Sequence, residues 1–170
     1  MIEVRAVRDG EWQRLRAIRL EALSDTPEAF ITTHAEAEAF PDDVWIDRVR
    51  KSSEAVEQTT IVAVDGADTV GLAVGLAPDA ANDGVVPVVS VYVAPRARRV
   101  GVGKRLIQAV ETWAASVGAN STSLWVVETN LAAIGFYESM GYRATRNRMP
   151  TPAPPPRWET RYEKQLTAGG

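Results

Sequence analysis

The stretch "VYVAPRARRVGVGKRLI" (residues 91–107) decides how the rest of the chain is read. It begins as strand-like sequence, packs four arginines, one lysine and two glycines between Pro95 and Leu106, and ends as the first turns of a helix. The basic residues and Gly101 and Gly103 therefore fall where a strand hands over to a helix. Backbone N–H groups at a helix start have no intrahelical acceptor and carry the positive end of the helix dipole. A glycine-relaxed turn at that point, surrounded by Arg98, Arg99 and Lys104, is suited to holding phosphate oxygens. The formal net charge of the 170-residue chain is −3, which argues against the broad basic face that a nucleic acid requires and for a small anion at this one loop.

Composition narrows the classes further. A chain of 170 residues with 45% hydrophobic content supports one core, so a single domain over 1–170 is expected. With no cysteine there is no disulfide framework, thiolate metal site or cysteine nucleophile. The single histidine, His34, excludes a site built from several imidazoles, and no metal is expected. The N-terminal "MIEVRAVRDG" alternates apolar and polar residues and does not place an apolar run after a basic segment. With no apolar stretch long enough to cross a bilayer, a soluble cytoplasmic protein without a membrane partner is expected.

Outward from the decisive stretch, periodicity assigns the elements. "IEVRAV" (2–7) alternates as a strand, and "WQRLRAIRLEAL" (12–23) has helical spacing, with Asp9 as the expected cap. Pro27 breaks that pattern, and a second short helix is expected from Pro41 in "PDDVWIDRV". Three β-rich runs follow at 59–65, 69–77 and 88–93, with Pro87 at the start of the last. After the loop, Leu106, Ile107, Val110, Trp113, Ala114 and Val117 share one helical face until Gly118. "STSLWVV" (121–127) is a strand, and "NLAAIGFYESM" (130–140) is a helix ended by Gly141. "YRATRNR" and "RWETRYEKQL" close the chain as strands, separated by the proline-rich 149–156 as an extended loop. The order predicts an α/β (α+β) fold whose mixed, mostly antiparallel central sheet is flanked by helices, with a β-α-β crossover joining residues 88–93 to 121–127 as parallel strands.

Two nucleotide motifs fail at this loop. A P-loop needs glycine where Arg98 stands and serine or threonine where Arg105 stands; a dinucleotide fingerprint needs a third glycine at Leu106. The run Arg98-Arg99-Val100-Gly101-Val102-Gly103 instead resembles the acyl-CoA pyrophosphate loop of the GCN5-related N-acetyltransferases (GNAT). "LWVVETNLAAIGFYESMGYR" is similar to that family's next strand and helix, with Asn130, Ala133, Phe136, Tyr137, Gly141 and Tyr142 in the usual places. The resemblance is sharp from about Val88 to Tyr142 and architectural elsewhere.

The resemblance implies transfer of an acetyl group from acetyl-CoA to a primary amine, by direct attack in a ternary complex. It makes Arg98, Arg99, Val100, Gly101, Val102, Gly103 and Lys104 cofactor-binding residues. The backbone of Val91 and Val93 would pair with the pantetheine arm, the Val93 N–H would face the oxyanion, and Asn130 and Tyr137 would lie near the bound acyl-CoA. Tyr137 would also be the general acid for the leaving sulfur. Read without the family, Asn130 is a helix cap, Tyr137 a core ring, and Arg96 a solvated charge. The residues leave the base open, because "VPVVSVYV" carries no carboxylate; a water chain, Glu128 and His34 are the alternatives. The missing carboxylate also motivates a second reading, a non-catalytic acyl-CoA-binding sensor. The acceptor, a small-molecule or peptide amine, would meet Phe30, Trp45 and the region 24–50 on one wall and 149–158 on the other. Dimers are common in the family, so a homodimer is among the expected partners.

Overall fold

A computed structural model describes residues 1–167 except 80, 82 and 153. Its elements are β1 (Glu3–Ala6), α1 (Trp12–Asp25), α2 (His34–Glu38), α3 (Asp42–Glu54), β2 (Gln58–Asp65), β3 (Asp68–Leu76) and β4 (Val85–Val93), followed by α4 (Val102–Ser116), β5 (Ser121–Val127), α5 (Leu131–Ser139), β6 (Arg143–Pro150) and β7 (Trp158–Gln165). The seven strands form one sheet in the order β1-β2-β3-β4-β5-β7-β6. Every neighbouring pair is antiparallel except β4 and β5, the parallel pair expected from the crossover.

Some boundaries move, each for a local reason. α1 begins after Glu11, not Asp9, and no side chain caps it; the Glu11 carboxylate is instead clamped by Arg5 at 2.7 Å and accepts from the Arg8 N–H at 2.8 Å. The short α2 was not expected from apolar spacing. It is fixed by a capping box in which Thr33 Oγ1 accepts from the Glu36 N–H and Glu36 reaches back to the Thr33 N–H. β4 begins at Val85, so Pro87 lies inside it, opposite Ser123. β6 runs on through Met149 and Pro150, which shortens the proline-rich loop; its Ala153 lies outside the described residues.

Helices cover both faces. α4 buries Leu106, Ile107, Val110, Trp113 and Ala114. Its contacts with β1, β2, β3 and β4 place it across the first half of the sheet. α1 packs on β3 and α3 on β2, with α1 also against α3. Tyr142, after α5, sits on α4's side of the sheet, where its hydroxyl is hydrogen-bonded to Thr122 and donates to Glu111, both at 2.9 Å. Among the described residues, no helix is long and apolar enough to cross a membrane.

Candidate active site

The sheet opens at its centre. β4 and β5 are paired only from Val85–Pro87 to Ser121–Ser123, so Val88–Val93 and Leu124–Val127 face one another across a widening gap. On its other side β4 pairs with β3 past a bulge: Leu72 is opposite Tyr92 and Val74 opposite Val89, so β4 carries one extra residue. Ser90 adopts a left-handed φ of 55° there. Bulges of this kind bend a strand and end its pairing, which is how β4 diverges from β5. The Ala94 N–H donates to Val70 O at 2.8 Å, and Tyr92 sits opposite Leu72. Strand alternation then turns the Val93 peptide groups, and those of Val91 two residues back, into the gap. The Val93 carbonyl accepts from Arg98 Nε at 2.8 Å.

The basic loop beside the gap divides into braces and free cations. Arg96 is no solvated charge: it pairs with Glu21 at 2.6 Å and donates to Thr69 O at 3.2 Å. Arg98, besides its bond to Val93, is ion-paired with Asp25. Arg105 Nη1 donates to Ile2 O at 2.9 Å. Arg99 and Lys104 remain exposed, with no hydrogen-bond or ion-pair partner among the described residues. They flank Gly101, which caps α4 at φ 82° without any side-chain cap bond. A Cβ at Gly101 would meet nothing within 4 Å, so glycine is needed for its conformation and the space above it is open. At Gly103 a Cβ would lie 3.4 Å from Phe136 and 3.7 Å from Val93, which ties the helix start to the gap. Val102 points inward at 2% exposure, so only its backbone N–H is available; Val100 is exposed.

α5 approaches from the same side of the sheet. Asn130 is its cap, Oδ1 accepting from the Ala133 N–H at 3.1 Å. The Tyr137 ring makes edge contacts with Phe136 (centroids 5.1 Å) and Tyr142 (5.8 Å). Burial raises the Tyr137 phenol to about 12, so it stays protonated at neutral pH. Its hydroxyl has no hydrogen bond to any described residue.

The sequence alternatives for a base separate in the structure. Glu128 is held at about 2 by Arg148 and then by Thr160, whose Oγ1 donates to it at 2.7 Å, so it is a poor proton acceptor. His34 opens α2 and faces Glu38 of the same helix at 3.9 Å. A residue that sequence reasoning missed is Glu159, opposite Val127 at the wide end of the gap. It is half-buried, has no hydrogen-bond or ion-pair partner among the described residues, and its carboxyl is raised by burial. Its β7 neighbours Thr160 and Tyr162 point to the α4 and α5 side, so alternation directs Glu159 to the opposite, α1 side. The aromatic wall expected from Phe30 and Trp45 is also different. Trp45 is fully buried and lies beneath the Arg48 guanidinium at 5.0 Å, while Phe30 lies beneath that of Arg19 at 4.4 Å. Neither arginine was singled out from sequence, because they come together only through the packing of α1 on α3.

The fold is that of several solved acetyltransferases. A GNAT-family acetyltransferase of Streptococcus pneumoniae is similar at a TM-score of 0.85 and 15% identity, covering 98% of this chain and 100% of that one. YncA of Salmonella typhimurium, solved with its cofactor acetyl-CoA, is similar at 0.78 and 18% identity, covering 99% and 96%. The PaiA N-acetyltransferase of Thermoplasma acidophilum, solved with coenzyme A, is similar at 0.72 and 16% identity, covering 97% and 99%. No curated protein matches the sequence. A sequence model of the acetyltransferase (GNAT) family matches residues 12–142. A split parallel pair, a glycine-capped helix beside it and that match over most of the chain lead to one assignment: this protein belongs to the GNAT family of acetyltransferases.

Proposed function

We propose that the protein transfers an acetyl group from acetyl-CoA to a primary amine of a small molecule or peptide. The observation that carries this reading is the gap: Val91 and the Val93 N–H turn toward it with no β5 strand paired to them, beside a helix start whose N–H groups, with Arg99 and Lys104, have no partner among the described residues. These residues fit an extended pantetheine arm with a pyrophosphate at its end, the first held as an added strand and the second by helix N–H groups and cations. Arg98 contributes by bracing the loop against Val93 and Asp25. The thioester supplies an electrophilic carbonyl with a good leaving group.

An amine entering from the α1 side must first lose a proton, since alkyl ammonium groups have pKa values near 10.4. Glu159, raised above the ordinary carboxylate value and unpartnered, takes that proton directly or through water. The neutral nitrogen attacks the carbonyl, and the Val93 N–H donates to the oxygen as it gains charge. As the C–S bond breaks, Tyr137 gives its proton to the departing sulfur, and the proton the nitrogen sheds as the amide forms passes through water to restore the phenol. A phenol near 12 is the weaker acid of the pair, so the transfer accompanies bond cleavage and does not precede it. Release of free thiol from acetyl-CoA, measured over amino acids, polyamines, aminoglycosides and peptide N-termini, tests the reading. Amine-dependent release supports it. Tight acetyl-CoA binding with no release for any amine would assign the protein to the sensor class.

A further inference from the structure

The α1 side of the gap holds two cations that the transfer chemistry does not use. Arg19 Nη1 donates to Ser90 Oγ at 2.6 Å, on the bulge itself, and its guanidinium lies over Phe30. Arg48 lies over Trp45 at 5.0 Å and Phe40 at 5.3 Å. Both are half-buried, and no carboxylate among the described residues pairs with either. The contrast with Arg96 and Arg98, each given an acidic partner by α1, is direct. Burial and then the charge of Arg48 lower Arg19 to about 10, and burial lowers Arg48 as well. Aromatic faces offset part of the cost of desolvating a guanidinium but provide no acceptor for its N–H groups. Two like charges withdrawn from water, with donors unspent, form an arrangement that an anion completes.

We infer that Arg19 and Arg48 bind a carboxylate on the acceptor, which is therefore an amino acid or another amine bearing a carboxylate a few atoms from the attacking nitrogen. This rests on the acyl-transfer reading above. Arg19 is anchored where β4 leaves β5, so an anion held there keeps a nearby amine at the mouth of the gap. The planar guanidinium matches a carboxylate through paired N–H bonds, and two of them on different helices set position and orientation together. Polyamines and lysine-rich peptides would meet repulsion at the same place.

Matched acceptors test this: L-methionine against 3-(methylthio)propylamine, L-phenylalanine against 2-phenylethylamine, L-glutamate against 4-aminobutyrate, and 2-aminoethylphosphonate. At least one amino acid of a pair that differs by its α-carboxylate should exceed its decarboxylated partner by about 10²-fold in kcat/KM. Arg48→Gln should reduce that preference below about tenfold, chiefly through KM, and Arg48→Lys should restore part of it. Equal rates within the methionine and phenylalanine pairs, or preference there for the amines that carry no carboxylate, overturns the inference, whereas preference for 4-aminobutyrate over L-glutamate places the carboxylate farther from the nitrogen; turnover of the phosphonate alone overturns the carboxylate assignment. If no amine turns over, the arginine Nε–H resonances of the free protein are titrated with succinate. Saturable shifts at Arg19 and Arg48 that vanish in Arg48→Gln uphold the site, and their absence overturns it. These titrations need no CoA, so saturable arginine shifts in a protein that fails to bind CoA would overturn the acyl-transfer reading and leave the anion site standing.

Discussion

The loop from Pro95 to Leu106 and the acceptor side built by α1 and α3 both present arginines, and they use them in opposite ways. In the loop, Arg96, Arg98 and Arg105 are spent on neighbours, and among the described residues Arg99 and Lys104 find no partner, both exposed. On the α1 side, Arg19 and Arg48 are half-buried and have no ionic partner among the described residues. A solvated free cation costs little, so the loop can wait for its anion in water. A desolvated one is costly, and Arg19 and Arg48 have aromatic faces to offset part of that cost, which under the proposal an acceptor's carboxylate relieves further. In the proposed reaction the first design serves the acyl-CoA donor through backbone and glycine, and the second serves the acceptor through side chains.

The comparison is most exposed at Tyr137, on α5, whose ring packs against Phe136 and Tyr142 on the loop's side of the sheet. Tyr137→Phe keeps the ring contacts with Phe136 and Tyr142 and should lower kcat by about 10²-fold or more, with thermal stability and acetyl-CoA affinity near wild type. A fully active variant would leave the loop side with binding alone. On the acceptor side, Glu159→Gln should lower kcat by roughly 10-fold to 10²-fold. The sign follows from burial: Glu159 is protonated below a pKa raised above 4.5, so the wild-type rate should fall as pH drops through that raised value, and the variant should lose this limb. A pH profile of single-turnover rates checks both.

Smaller effects sharpen the division within the loop. Gly101→Val forces a β-branched residue into φ 82°, a strain of about 1–2 kcal/mol that the loop relieves by moving, so acetyl-CoA affinity should fall by about tenfold. Gly103→Ala adds a Cβ at ordinary contact with Phe136 and should change affinity by less than about threefold. Isothermal titration separates the two. Arg99→Gln with Lys104→Gln should weaken acetyl-CoA only several-fold at low salt, on the scale of exposed charges at about 1 kcal/mol or less, and the loss should shrink as salt rises. Arg98→Gln should instead lower the melting temperature, because its partners are Val93 and Asp25.

What the sequence disclosed follows the same line. β4, α4, β5 and α5 were legible because each is encoded locally, by period, by Gly101 and Gly103, and by the caps at Asn130 and Gly141. α2 was missed although its capping box, Thr33 and Glu36, stands in the sequence; the run is too short and polar for a periodic signal. Arg19 and Arg48 could not be found that way, since nothing in one segment tells how another will cover it. The same holds for Glu128, whose capture by Arg148 depends on β6 pairing with β7. Glu159 was within reach in part: alternation along β7 gives its face, but not the absence of a partner.

The divergence of β4 from β5 leaves strand edges in the middle of the sheet, where proteins ordinarily have none. Outer edges are guarded by charge, brevity or a covering helix, because an open row of N–H and C=O groups is a template for any extended chain. Here Val91, the Val93 N–H, Trp125 and Val127 stand on internal rims with no such guard, because the β5 residues bonded to β7 are the alternate ones, and the defence has to be the metabolite that fills the slot. Colloidal behaviour is then coupled to metabolism: when acyl-CoA is scarce, the empty slot is open to a foreign strand or to a second molecule of the same protein.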